Sequence, residues 1–208
     1  MEEVENKISL RSELLRKAIH ISSSLIPLSY YFIEKDILII FLYVFGFLLM
    51  LMDLTKLRYQ WVQRIYLKFL GPVLRSHELQ NKKLFFTGGT YLVIAFLICV
   101  LLFSKPVAIT SMLIIVFCDS AAAIVGKVYG KHFVKNKTLE GSAAFFITGV
   151  AVILLTPKAT DSSNEFFLAL SALLLTTIFE IIPNKIDDNI SIPIFFGITY
   201  SILIKIFL

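Results

Sequence analysis

The sequence predicts an all-α, polytopic membrane protein of about seven transmembrane helices with a cytoplasmic interfacial helix. Three observations predict it. Of the 208 residues, 57% are hydrophobic and only 17% are charged, the mean hydropathy is +0.82, and the apolar residues gather in runs of membrane-crossing length. Soluble domains carry about 45–50% apolar and about 25% charged residues. A chain this apolar lacks the polar surface to cover a water-soluble core. The composition therefore excludes a disordered chain, a nucleic-acid-binding module and a small disulfide scaffold. A single integral-membrane domain over 1–208 is expected, with 53–87 as a cytoplasmic interfacial connection.

The N-terminal stretch MEEVENKISLRSELLRK is acidic and then basic. It has no early apolar core or small-residue cleavage pattern and does not read as a signal peptide. A spanning helix needs roughly 20 mostly apolar residues, and runs occur at about 18–33, 36–52, 88–104, 106–128, 141–156, 166–182 and 190–207. Six or eight spans are the alternative counts. The second run is short. The fourth carries Asp119, Gly126 and Lys127, and hydropathy alone ends it near Cys118. Both cysteines, Cys99 and Cys118, sit in apolar runs and read as small buried hydrophobes. Between the second and third runs, Trp61, Ile65, Leu67, Phe69 and Leu70 alternate with Arg58, Arg64 and Lys68, which suits a helix lying among lipid headgroups.

Counting Lys and Arg on alternate sides of these spans separates them sharply. The N-terminal tail has four, the connection after the second span seven, the loop after the fourth span four, and the loop after the sixth one. The opposite side has only Lys35, Lys105, Lys158 and Lys205. By the positive-inside rule the N-terminus is cytoplasmic, and with seven spans the C-terminus is outside. His20, Glu78, Asp119, Glu140, Glu180 and Asp187–Asp188–Asn189 also fall at or near the cytoplasmic span ends. Any chemistry is expected there.

The stretch 117–146 is the most informative. Asp119 follows an apolar run without a break; a central Asp costs about 2.5–3.5 kcal/mol on insertion scales, so it reads as functional. Ala123, Gly126 and Gly130 lie within about 40° of Asp119 around a helix. Such a small-residue stripe lets a ligand approach, and equally packs one membrane helix against another. Lys127, Lys131, Lys135 and Lys137 then lead into Thr138–Leu139–Glu140–Gly141–Ser142. These lysines fit ordinary positive-inside bias, and with the following helix start they also fit a phosphate cradle.

The pattern D-x-x-A-x-x-x-G-x-x-x-G-K followed by K-T-L-E-G-S resembles the CTP-dependent lipid-alcohol kinases: dolichol kinase, phytol kinase and the yeast-type diacylglycerol kinase. Three further blocks resemble that family in the same order. They are Arg16–Lys17 with His20 (R-K-x-x-H), Glu78 followed by Thr87–Gly88–Gly89–Thr90–Tyr91, and Glu180 followed by Asp187–Asp188–Asn189 and Ser191–Ile192–Pro193. The resemblance implies transfer of the CTP γ-phosphoryl group to a membrane lipid alcohol, with Mg²⁺. It implies Asp119 as metal ligand or base, Arg16 and Lys17 as clamps on phosphate, and His20 as meeting the nucleotide or orienting Asp119. It implies Gly126, Lys127, Gly130, Lys131, Lys137, Thr138, Glu140, Gly141 and Ser142 at the nucleotide. Asp187, Asp188 and Asn189 suit Mg²⁺ as hard oxygen donors, and Glu78, Gly88 and Glu180 complete the set. The residues leave other roles open: Arg16 and Lys17 as juxtamembrane anchors, His20 as a packing histidine, Glu78 and Glu140 as partners of nearby lysines.

The soluble-kinase signatures G-x-x-x-x-G-K-[ST], H-R-D and D-F-G are absent from the sequence. Two rival readings stand beside the kinase. Phosphatidate cytidylyltransferases share an Asp–small–Gly–Gly–Lys block and K-T-x-E-G, but the S-P-x-K lead-in is replaced here by Val134–Lys135–Asn136–Lys137–Thr138. A small transporter also fits an intramembrane Asp, yet the polar groups gather on one side. The expected partners are CTP, a lipid alcohol and the bilayer, with no nucleic acid; neither the acceptor nor the oligomeric state is readable.

Overall fold

The computed structural model describes residues 10–70, 86–135, 137–182 and 186–208. These residues are nearly all helical: α1 Leu10–Ser22, α2 Leu25–Ser29, α3 Lys35–Arg58, α4 Gln60–Leu70, α5 Gly88–Leu102, α6 Lys105–Tyr129, α7 Leu139–Leu155, α8 Glu165–Ile181 and α9 Asp188–Phe207. Two strands of two residues, β1 Phe133–Val134 and β2 Lys137–Thr138, pair antiparallel between α6 and α7.

Helix α6 is the centre of the bundle. Pro106 in its first turn is pre-set for a helix start, and Val107 to Val116 are buried on every side. Its hydroxyls are satisfied internally: Thr110, Ser111 and Ser120 donate to the carbonyls of Pro106, Val107 and Val116, as polar groups in an apolar helix must. Helices α1, α2, α5, α7 and α9 pack around it.

Helices α3 (Lys35–Lys56), α6 and α9 are each long and apolar enough to cross a membrane. Helices α5, α7 and α8 have 15, 17 and 17 residues, so even α7 and α8 reach only about 25 Å against a hydrocarbon core of about 30 Å. The expected seven spans therefore exceed the three supported by length and composition. Ile37, Ile40, Phe41, Val44 and Leu48 of α3 are exposed, as side chains facing lipid are.

The first expected span, 18–33, is corrected. It is broken into α1 and α2, because the serines at the junction turn back on the helix. Ser22 and Ser23 hydroxyls donate to Ile19 and His20 carbonyls at 2.7 and 2.5 Å, and the Ser23 and Ser24 amides bond three residues back. Pro27 then offers no N–H to resume an α-helical ladder. The fourth run, expected at 106–128, matches α6: the helix continues past Cys118, where hydropathy alone would end it, to Tyr129, because the Gly- and Ala-rich turns after Asp119 are packed against α7.

Long-range contacts define two ends. At one end lie the close of α3, α6 and α8, the starts of α5, α7 and α9, and the β hairpin. At the other, Lys105 at the start of α6 donates to the carbonyls of Tyr31 and Ile33. There Glu165 at the start of α8 accepts from the amides of Ala159 and Thr160 and from Tyr200 of α9. The sequence-predicted site residues that are described gather at the first end or just below it.

Candidate active site

Three polar clusters occupy this end. The first joins α1 to α6. Glu13, Arg16, Lys17 and His20 recur at helical spacing and share one face. That face is turned inward, with Glu13 and Lys17 buried, while Leu14, Leu15 and Ile19 are exposed. A helix in water would present the reverse. Lys17 Nζ donates to Asp119 Oδ2 across 102 positions of sequence. His20 Nε2 lies 3.8 Å from the same oxygen and 3.2 Å from the Ile115 carbonyl. Arg16 Nη2 donates to Glu13 Oε1 at 2.5 Å. The R-K-x-x-H segment and the intramembrane Asp are thus one structural unit.

The second cluster surrounds Lys137. A tight turn at Lys135, whose φ is 57°, folds β1 onto β2; the left-handed region costs a non-glycine residue about 1–2 kcal/mol. The turn leaves Lys131 and Lys135 exposed and carries Lys137 inward, 2.7 Å from Glu180 and 3.0 Å from Asp188. Ser142 donates to the other Glu180 oxygen at 3.1 Å. Burial alone would lower the Lys137 pKa, but Asp188 and then Glu180 outweigh it and hold the ammonium above its ordinary value. Glu140 meets His132 rather than a lysine, with Nδ1 at 2.7 Å, because the short hairpin sets residue 132 beside the first turn of α7. Hydrogen bonding from His132 draws the Glu140 pKa down to about 2.

The glycines of the central block stand at a tight crossing of α6 and α7. A Cβ on Gly126 would meet Thr138 Oγ1 at 2.7 Å, and one on Gly141 would meet the Ala122 carbonyl at 2.9 Å. Gly130 faces Thr138 in the same way. These contacts let α6 and α7 cross at backbone distance, while Thr138 caps α7 by accepting from the Gly141 amide at 3.2 Å. Lys127 is exposed on the last turn of α6.

The third cluster was not singled out by sequence. Asp53, placed by sequence in the interfacial connection, instead lies on α3 and is buried. Its Oδ2 accepts from the Thr87 amide at 2.9 Å and the Thr90 hydroxyl at 2.6 Å, and Oδ1 accepts from Lys56 at 2.7 Å. The available signal was an acid closing an apolar run, as at Asp119. Next to it, a Cβ on Gly88 would lie 3.2 Å from Asn189, so the Thr87–Tyr91 block abuts the Asp–Asp–Asn block. Asp187 caps α9, accepting from the Asn189 amide at 2.9 Å. Glu78 lies outside the described residues.

Among the described residues no group of three or more His, Cys, Asp or Glu is placed to hold a metal by itself. Mg²⁺ commonly takes one or two carboxylates and completes its shell with water and substrate phosphate. Asp187 and Asp188 at the head of α9 fit that demand chemically.

No family model and no solved structure matches the chain. It is 24% identical over 192 residues to an uncharacterized protein of Rickettsia prowazekii, covering 91% of this chain and 94% of that one. It is 29% identical over 146 residues to CTP-dependent diacylglycerol kinase 1 of Saccharomyces cerevisiae, covering 67% and 49%. It is 35% identical over 105 residues to a dolichol kinase of Schizosaccharomyces pombe, covering 47% and 21%. The chain thus spans about half, or less, of these named kinases. At modest identity the chain is similar to CTP-dependent diacylglycerol, dolichol and phytol kinases, a likeness that supports the CTP-dependent lipid kinase family.

Proposed function

We propose that the chain is an integral-membrane kinase that transfers the γ-phosphoryl group of CTP to the hydroxyl of a lipid alcohol at the cytoplasmic face. The acceptor is an isoprenoid alcohol of the phytol or polyprenol type, or diacylglycerol. The observation that carries this reading is the meeting of Asp119 with Lys17 and His20 inside an apolar bundle. A half-buried acid towards the polar end of the central helix can reach a hydroxyl whose tail stays in the bilayer.

In the reaction the bond from the γ-phosphorus to its bridging oxygen breaks and leaves CDP, while the lipid oxygen bonds phosphorus and gives up its proton. Asp119 is the acceptor for that proton, with His20 orienting it and Lys17 neutralising it. Arg16 clamps phosphate oxygens by its fork geometry. Lys137 and the amides opening α7 neutralise the triphosphate, as phosphoryl transfer requires positioning and charge stabilisation above all. Mg²⁺ would be held by Asp187 and Asp188 with Asn189, supplying further neutralisation of phosphate charge. The 16 Lys and Arg on one side of the expected spans support a cytoplasmic orientation of this end.

The test is incubation of purified protein with γ-labelled CTP and a panel of lipid alcohols. The reading expects label in the lipid and CDP as coproduct. Label in pyrophosphate, with CMP on the lipid, would replace it with a cytidylyltransferase. ATP, GTP and UTP in parallel decide the donor.

A further inference from the structure

We propose that Glu13 is a positioning residue for Arg16, holding its guanidinium for an incoming phosphate; the role rests on the nucleotide reading above. Glu13 is an acid buried to 6% exposure in a site that must admit a polyanion, an expensive placement unless it serves its neighbour. Its partner is Arg16, through Nη2 at 2.5 Å. Arg16 Nε is also buried, and among the described residues it has no hydrogen-bond acceptor. Native structures rarely leave a buried donor unsatisfied.

A guanidinium carries five donors in a rigid plane, so one carboxylate contact at Nη2 fixes the direction of the others. Glu13 therefore engages Nη2 and leaves Nε unpaired for a second anion. The neighbouring cation cannot take that role, because Lys17 is committed to Asp119. The α1–α6 cluster is also self-neutralised: Glu13 and Asp119 balance Arg16 and Lys17. Phosphate is then recognised by the direction of the unpaired donor rather than by excess charge. This assigns Arg16 to phosphate and Lys17 to Asp119, dividing two adjacent basic residues that the sequence treats alike.

The experiment compares wild type, Glu13→Ala, Arg16→Ala and the double variant in lipid nanodiscs. It measures CTP binding by thermal stabilisation, and KM and kcat for transfer. Glu13→Ala is expected to weaken CTP by about tenfold, the loss of one charge-assisted contact that orients the donor, with the lipid-alcohol KM unchanged. On the Arg16→Ala background the same substitution is expected to change CTP binding less than twofold, because its target is already gone. Glu13→Gln keeps the acceptor and the length, and is expected to lie within about threefold of wild type. Full CTP affinity in Glu13→Ala overturns the proposal, as does an equal further loss on the Arg16→Ala background. If Glu13→Ala does not fold, a Glu13→Gln loss that persists without Arg16 overturns it equally. CTP binding without lipid transfer overturns the kinase reading alone, and Glu13 is then judged on affinity. No CTP binding by wild type overturns both.

Discussion

Replacing Gly126 with Ala separates the two roles that a glycine stripe can play. The new Cβ would lie 2.7 Å from Thr138 Oγ1 and 3.6 Å from the Gly141 Cα. The first distance is a clash and the second an ordinary contact. Ala in place of a helical Gly gains about 1 kcal/mol of propensity. Against this, moving Thr138 forfeits its cap on α7, about 1 kcal/mol, and the overpacked crossing costs about 1–3 kcal/mol. The net expectation for Gly126→Ala is a loss of about 1–3 kcal/mol. Thr138→Ala alone loses the cap, about 1 kcal/mol, but removes the atom that clashes. On that background Gly126→Ala should become neutral or stabilising by up to about 1 kcal/mol, a coupling within the range seen for residues in contact. Thermal unfolding of the four proteins in one detergent, with CTP affinity measured alongside, gives the answer. A Gly126→Ala protein of undiminished stability that has lost CTP binding would refute the packing assignment and return Gly126 to the nucleotide.

Further expectations follow from the other clusters. Asp119→Asn should lower transfer by about a hundredfold or more, the scale of a lost proton acceptor, while the protein still inserts. Because it strands the buried Lys17, it should also cost about 3–5 kcal/mol, recovered in Asp119→Asn/Lys17→Met without activity; full activity in the single variant would remove Asp119 from the mechanism. Asp53→Ala leaves the Thr87 amide, the Thr90 hydroxyl and Lys56 without their acceptor and should destabilise by about 2–4 kcal/mol, seen as earlier proteolysis between α3 and α5. Lys137 is held above its ordinary pKa, so its contribution is complete below the lysine range of about 10.4 and fades as pH rises through the folded value. The stability gap between wild type and Lys137→Met should be flat from pH 6 to 9 and close only in strong alkali. Glu140 is depressed to about 2, so its contribution is present above the ordinary glutamate range and lost as pH falls toward that value; Glu140→Gln should match wild type in pH response at neutrality and differ only in acid.

The blocks that could be read in advance are those whose signal is local. Asp119 interrupts an apolar helix, and a charge in such a run announces itself in any structure. Arg16, Lys17 and His20 share a helix face by spacing alone. What stayed hidden were partners. The same three-lysine loop would fit a phosphate cradle with every lysine outward; the turn at Lys135 sends Lys137 in and leaves Lys131 and Lys135 out. Glu140 has several cations near it in sequence, and its neighbour is His132 because strand pairing, not proximity along the chain, sets the contact. Asp53 went unnoticed because its donors lie 34 and 37 positions away.

The sequence by itself determined the solvent and the polarity of this protein. Composition and the length of apolar runs depend on local chemistry, so a nearly all-α chain with helices apolar enough to cross a bilayer, and with most of its basic residues expected on one side, follows without coordinates. The tertiary structure decided which groups act together. Whether Gly126 admits a ligand or a neighbouring helix depends on where α7 crosses α6. Whether Lys17 faces water or Asp119 depends on α1 turning its polar face inward. Those choices belong to helix crossings, where a few ångströms of backbone separation settle which buried charge meets which, and no local pattern carries that distance.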